Sequence, residues 1–199
     1  MLWEPLEGPY DGHSEWLSFE HAGAPLGGHV DFSKFEGSLS LYYPIYVHDE
    51  GRLHHVIGIF TKFGIMEGHH NSVDRIPIFE RFFLGGPNTV RGFRFRGLGP
   101  HFKKDALGGT AAWYGNFEYV FPIFQKFIRG VFFFDYGNLA KEPSVFELDD
   151  MRYAVGGGLR MNFPFLGQPL PIGLYLGKAL ESEDFDRERT FLFTIGTPF

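Results

Sequence analysis

Apolar and polar residues alternate with period two along most of the chain, in runs separated by Gly, Pro, Asn and Asp. Successive side chains of an extended strand point to opposite faces, so each run predicts a strand with one apolar face. Eight strands are predicted, at roughly 14–22, 33–47, 53–66, 110–122, 127–137, 151–163, 171–180 and 189–199. In the second, Phe35, Leu39, Leu41, Tyr43 and Ile45 alternate with Lys34, Glu36, Ser38, Ser40 and Tyr42. In the fifth, Ile128, Phe132, Phe134 and Tyr136 oppose Arg129, Phe133 and Asp135. The last sets Phe191, Phe193, Ile195 and Phe199 against Thr190, Leu192, Thr194 and Gly196. This spacing predicts an all-β, antiparallel fold. One segment breaks it: residues 67–109 form a connection of about 40 residues, far above the usual loop length. Its Gly and aromatic content, with Arg91, Arg94 and Arg96, is not the composition of a disordered linker.

Composition changes the picture at three points. The chain of 199 residues has 25 Phe, 27 Gly and 13 Pro, and mean hydropathy is −0.12, which taken alone reads as soluble. No apolar run of about 18 residues predicts a membrane-crossing helix, but a transmembrane barrel escapes that test because only every second residue faces lipid. A soluble sandwich would alternate in the same way. Two features favour the membrane: the polar face carries Arg, Glu, Asp and Gly, as a wet lumen would, and aromatics cluster at strand ends (Tyr42, Tyr43, Tyr46, Phe121, Phe124, Phe163, Phe165). A soluble eight-stranded ligand carrier is the contrasting reading. There is no cysteine, which excludes disulfides, thiolate metal sites and cysteine nucleophiles. The net charge of −6 argues against nucleic-acid partners. The opening MLWEPLEGPYDGH has neither basic nor apolar signal segments, so a barrel bound for an outer membrane implies a mature form or an upstream region.

Candidate chemistry is sparse. The pairs His54-His55 and His69-His70 put adjacent side chains on opposite faces of a strand, so neither chelates a metal easily. Gly12-His13-Ser14 is not a nucleophile elbow, and Gly85-Gly86-Pro87 lacks the Gly-Lys-Ser/Thr of a phosphate loop. No enzyme activity, cofactor or metal is expected.

The segment ERFFLGGPNTVRGFRFRGLGP, residues 80–100, resembles the sixth extracellular loop of the BamA/TamA superfamily of outer-membrane protein insertases and translocases, also called the bacterial surface antigen family. Its VRGF signature is Val90-Arg91-Gly92-Phe93. GGTAAWYGNFEYVFP resembles the family strand with an inward Glu, here Glu118, and GVFFFDYGN resembles the FxDxG motif, here Phe133, Asp135 and Gly137. MRYAVGGGLRMNFPF resembles the next strand, and FLFTIGTPF the terminal β-signal, carried by Phe193, Ile195, Gly196 and Phe199. These motifs follow the family order over residues 80–199; residues 14–66 fit only in pattern.

On residues alone, Glu118 and Asp135 lie on the polar faces of adjacent strands, where a forked guanidinium could take both, but a solvated Arg91 above water-lining acids is the favoured reading. The resemblance implies the first: Arg91 folds into the lumen and meets Glu118 and Asp135, a structural contact. It further implies that the last strand pairs weakly with the first, leaving a seam that templates incoming strands. Pro198, which lacks a donor, departs from an ideal strand there. The family barrel has sixteen strands behind periplasmic POTRA domains. Residues 1–199 are therefore read as the C-terminal half of a transmembrane antiparallel β-barrel, with an inward-folding loop at about 67–109 and integral outer-membrane localisation. The implied partners are the lipid bilayer, unfolded outer-membrane or secreted polypeptides, and either the missing N-terminal half or a second copy of the chain. The expected function is insertion or translocation of such polypeptides; the alternative is a passive barrel or pore.

Overall fold

The structure, a computed structural model, describes residues 2–4, 8–23, 30–48, 53–68, 76–125, 127–165 and 168–196. The strands are β1 (Leu2–Glu4), β2 (Gly8–Ala22), β3 (Phe32–His48), β4 (Leu53–Gly68), β5 (Gly92–Phe93), β6 (His101–Phe102), β7 (Asp105–Ala106), β8 (Ala111–Phe124), β9 (Ile128–Ala140), β10 (Arg152–Phe165), β11 (Gln168–Ala179), β12 (Glu188–Arg189) and β13 (Phe191–Ile195). Nine form one sheet in the order β1-β2-β3-β4-β8-β9-β10-β11-β13, and every pair in it is antiparallel. Two short ribbons, β5 with β12 and β6 with β7, stand outside it. Among the described residues there is no α-helix, and no pairing joins β1 to β13.

The register shows why these runs form strands. Leu41 lies opposite Ile59, Ile59 opposite Phe117, Phe117 opposite Phe134 and Phe134 opposite Val155, so one apolar row crosses five strands. All five side chains are exposed, as are Leu17 and Phe19 on β2 and Phe191, Phe193 and Ile195 on β13. A continuous apolar face of this extent is costly in water and is stabilised by lipid. The opposite face is the inner one, where Val56, Met66, Val131, Phe133, Ala154, Tyr175 and Leu192 are buried. The connections after β3, β8 and β10 are short, whereas those after β4, β9 and β11 are long and leave the other end of the sheet. That asymmetry is the one expected of outer-membrane barrels.

Strand boundaries differ from expectation most at β2 and at the last strand. β2 starts at Gly8 rather than at 14, because its Gly- and Pro-containing beginning pairs with β1. Residues 189–199 are not one strand: Glu188–Arg189 pair with Gly92–Phe93, and β13 begins only at Phe191. Phe199 and Pro198 lie outside the described residues, as do His69 and His70. Tyr42, read as part of an aromatic girdle, instead lines an inner cavity beside Arg91 and Glu118, whereas Tyr43, Tyr46, Phe124 and Phe163 do face outward. His54 is buried and stacks on Tyr10 at 4.2 Å, while His55 bonds the Tyr119 hydroxyl at 2.7 Å, so the pair does split between faces.

Candidate lumenal loop contact

The inner face of β10 and β11 is floored by small residues. Asp135 lies opposite Asn116 on β8 and Ala154 on β10, and Ala154 lies opposite Ala179 on β11; one row over, Phe133 is followed by Gly156 and Gly177. A floor this low leaves room for a second layer, and the loop between β4 and β8 supplies it. Leu84, Val90, Phe93 and Leu98 from the loop pack with Ala112, Leu139 and Ala154 in one buried cluster. The loop folds back on itself through paired contacts of Phe82 with Gly109 and Leu84 with Leu98.

Three glycines permit the close approach. A Cβ on Gly177 would sit 2.8 Å from the Gly92 nitrogen, so loop backbone rests directly on β11 backbone. Gly92 itself has φ +94°, a conformation that favours Gly, and it turns the chain at the point of contact. Gly137 is required for space: a Cβ there would lie 2.7 Å from Val90 Cγ2. The glycines of both motifs therefore mark where loop and wall touch.

Arg91 is held at this contact. Its Nε donates to Asp135 Oδ2 at 2.8 Å and its Nη2 to Oδ1 at 2.6 Å, a bidentate fork, and its backbone N–H donates to Oδ2 at 2.8 Å. Nη1 lies 2.7 Å from Glu118 Oε1. The guanidinium carbon stands 3.7 Å from the centre of the Phe133 ring and 5.4 Å from that of Tyr175. The Arg91 side chain is 3% exposed and that of Asp135 0%, so the pair is desolvated and the fork geometry carries its full weight. The structure thus brings Arg91, Glu118 and Asp135 together, places Gly92 and Gly137 at the contact, and buries Phe93 in the cluster beneath. Phe193 and Ile195 face outward on β13, where Gly196 ends the strand with φ +73°.

A fourth charged residue escaped the sequence reading. Arg160 on β10 donates through Nη2 to the same Glu118 Oε1 at 2.7 Å and through Nε to the Tyr175 hydroxyl at 3.1 Å. Two guanidiniums and two carboxylates therefore form a neutral quartet. Its only sequence signal was that Arg160 shares the polar face of its strand. Beside the quartet opens a cavity of about 400 Å³, lined among others by Tyr42, Phe60, Asn116 and Thr194.

An antiparallel sheet with an apolar outer face, long connections at one end and a loop arginine buried against its inner wall defines an outer-membrane β-barrel protein. Residues 8–199 match the Omp85 superfamily domain, and the chain belongs to that superfamily. It is 28% identical over 185 residues to the outer membrane protein assembly factor BamA of Nitratidesulfovibrio vulgaris, covering 90% of this chain and 22% of that protein. It is also 28% identical to a SAM50-like protein of Drosophila melanogaster, covering 87% of this chain and 38% of that one. The solved structure of BamA from Haemophilus ducreyi lacking POTRA domains 1–3 superposes with a TM-score of 0.77 at 20% identity, over 96% of this chain and 39% of that one. The chain thus spans well under half the length of these relatives.

Proposed function

We propose that this chain forms the C-terminal part, residues 1–199, of a larger outer-membrane barrel that assembles or translocates unfolded polypeptides without enzymatic chemistry. The observation that carries the reading is the buried Arg91–Asp135 fork, which binds a long loop to the inner wall where a passive tube would need none. In this reading the lock fixes the loop and, with it, the shape of the barrel. The seam at the sheet edge then templates an incoming strand by backbone pairing. Each unsatisfied backbone group in lipid costs several kcal/mol, so the two edges of this sheet require partners: a preceding half of the barrel or a second copy of the chain. The relative from Nitratidesulfovibrio vulgaris, named an outer membrane protein assembly factor, supports the substrate class. The Phe193, Ile195, Gly196 and Phe199 segment is proposed as the strand read during assembly.

The test is complementation. Cells depleted of the full-length protein are supplied with wild type or Arg91→Ala, and the heat-resistant, compact form of a newly made barrel substrate is followed by pulse-chase. Restored assembly with wild type and delayed assembly with Arg91→Ala are expected. Unimpaired assembly in depleted cells, with loss only of membrane conductance, would replace this reading with a passive pore.

A further inference from the structure

A second buried ion pair joins Arg152, in the segment that resembles the family's next strand, to Asp186, which lies outside the family-like motifs. Asp186, in the connection between β11 and β13, has a fully buried side chain, and Arg152 at the start of β10 is 7% exposed. Arg152 Nε donates to Asp186 Oδ2 at 3.0 Å, and Arg152 Nη1 donates to the Asp150 carbonyl. Asp186 Oδ2 also accepts from the backbone N–H of Glu183 at 2.9 Å, and Oδ1 accepts from that of Gly99 at 2.9 Å. Gly99 belongs to the same loop as Arg91. One carboxylate therefore ties together the wall, the loop and the segment leading into the last strand.

The backbone repeats the connection. Arg94 N–H donates to the Arg187 carbonyl and Arg187 N–H to the Gly97 carbonyl, both at 2.8 Å. β12 pairs with β5 so that Arg189 lies opposite Gly92 and Glu188 opposite Phe93. One residue, Thr190, separates Arg189 from β13, whose pairing with β11 begins at Phe191 opposite Leu176. The loop residues that follow Arg91 are thus hydrogen-bonded to the residues that position β13. Asp186 fixes that ribbon to β10, which is independently held in the sheet.

We propose that Asp186 and Arg152 are positioning residues that form a second latch, through which the position of the Arg91 loop is transmitted to strand β13. With the latch closed, loop and strand move as one unit. With it open, the ribbon can leave the wall and β13 loses the support of its approach segment. The proposal rests on the reading of the loop as a working part of an assembly barrel, but the coupling itself is a physical property with its own measurement.

Hydrogen exchange of the full-length protein in lipid provides it. Asp186→Asn leaves the shape of the side chain and removes its charge. Faster exchange is expected in both residues 92–99 and residues 191–195, on the order of 10- to 100-fold, less than for outright loss of a buried charge partner because the amide keeps an acceptor oxygen, with β8 unchanged. Arg152→Met should reproduce the pattern and Arg152→Lys should largely restore it. Asp149→Asn, an exposed carboxylate at the same end, is the control. Acceleration confined to residues 180–189, or absent, would overturn the latch. Coupled acceleration with unimpaired substrate assembly would leave the latch standing and remove the functional reading on which it is built. If Asp186→Asn fails to fold, the Arg152→Lys and Arg152→Met pair still decides: equal exchange at β13 in the two overturns the proposal.

Discussion

Replacing Arg91 with Ala perturbs the quartet unequally. Asp135, with no exposed side-chain surface, loses both fork bonds and keeps only the backbone N–H of residue 91. Glu118 keeps Arg160 at 2.7 Å. The cost therefore arises at Asp135, where a buried carboxylate is left with one donor. Breaking a buried pair from one side costs about 3–5 kcal/mol, or roughly 150- to 5,000-fold in the equilibrium between locked and released loop. Asp135→Ala alone leaves Arg91 with Glu118, and removing both Arg91 and Asp135 leaves no orphan. The double variant should then be no worse than Arg91→Ala, with a coupling energy of at least about 2 kcal/mol. Urea unfolding in lipid vesicles for wild type, the two single variants and the double measures it. Losses that add to within about 0.5 kcal/mol would refute the reasoning, because groups that do not share an interaction add.

Glu118→Gln should cost at least as much as Asp135→Asn in the same assay, since the Glu118 charge serves two guanidiniums, whereas loss of the Asp135 charge still leaves Arg91 on Glu118. Gly137→Ala should push Val90 outward at a cost of about 1–3 kcal/mol, and Val90→Ala in the same chain should recover most of it; partial proteolysis of the loop checks both. Phe193→Arg, on the lipid face, should destabilise the folded barrel by up to about 2–4 kcal/mol if its depth is near the bilayer midplane, as read by refolding into vesicles. Wild-type protein should remain in the membrane pellet after alkaline carbonate, and release to the supernatant would contradict the lipid-facing sheet.

The outer face was legible because period-two alternation holds wherever one side of a strand meets a uniform solvent. Leu41, Ile59, Phe117, Phe134 and Val155 were all assignable from spacing, and the register aligns them. The inner face was legible only through motif order. Nothing in the spacing distinguishes an Arg91 in water from one buried on Asp135, because that depends on the small floor of Ala154, Gly156, Gly177 and Ala179 on strands far along the chain. Arg160 was visible as an inward charge but not as a partner of Glu118, two strands away. The Asp186 contacts were illegible, since Gly99 and Asp186 are 87 residues apart and are joined by a backbone donor that carries no side-chain signal. The single last strand from 189 failed for a related reason: hydrogen bonding to the loop at Gly92–Phe93 captures Glu188–Arg189 away from the sheet.

The central claim is that the Val90–Phe93 turn lies against β9 inside the barrel. The chain has no cysteine, so an introduced pair reports without background. A Cβ on Gly137 would lie 2.7 Å from Val90 Cγ2, which makes Val90→Cys with Gly137→Cys the most direct probe. Mild oxidation of native membranes should join the two thiols in nearly all folded molecules and protect them from a membrane-impermeant maleimide. If both thiols stay reduced and are labelled freely, the loop lies outside the lumen and the account is wrong.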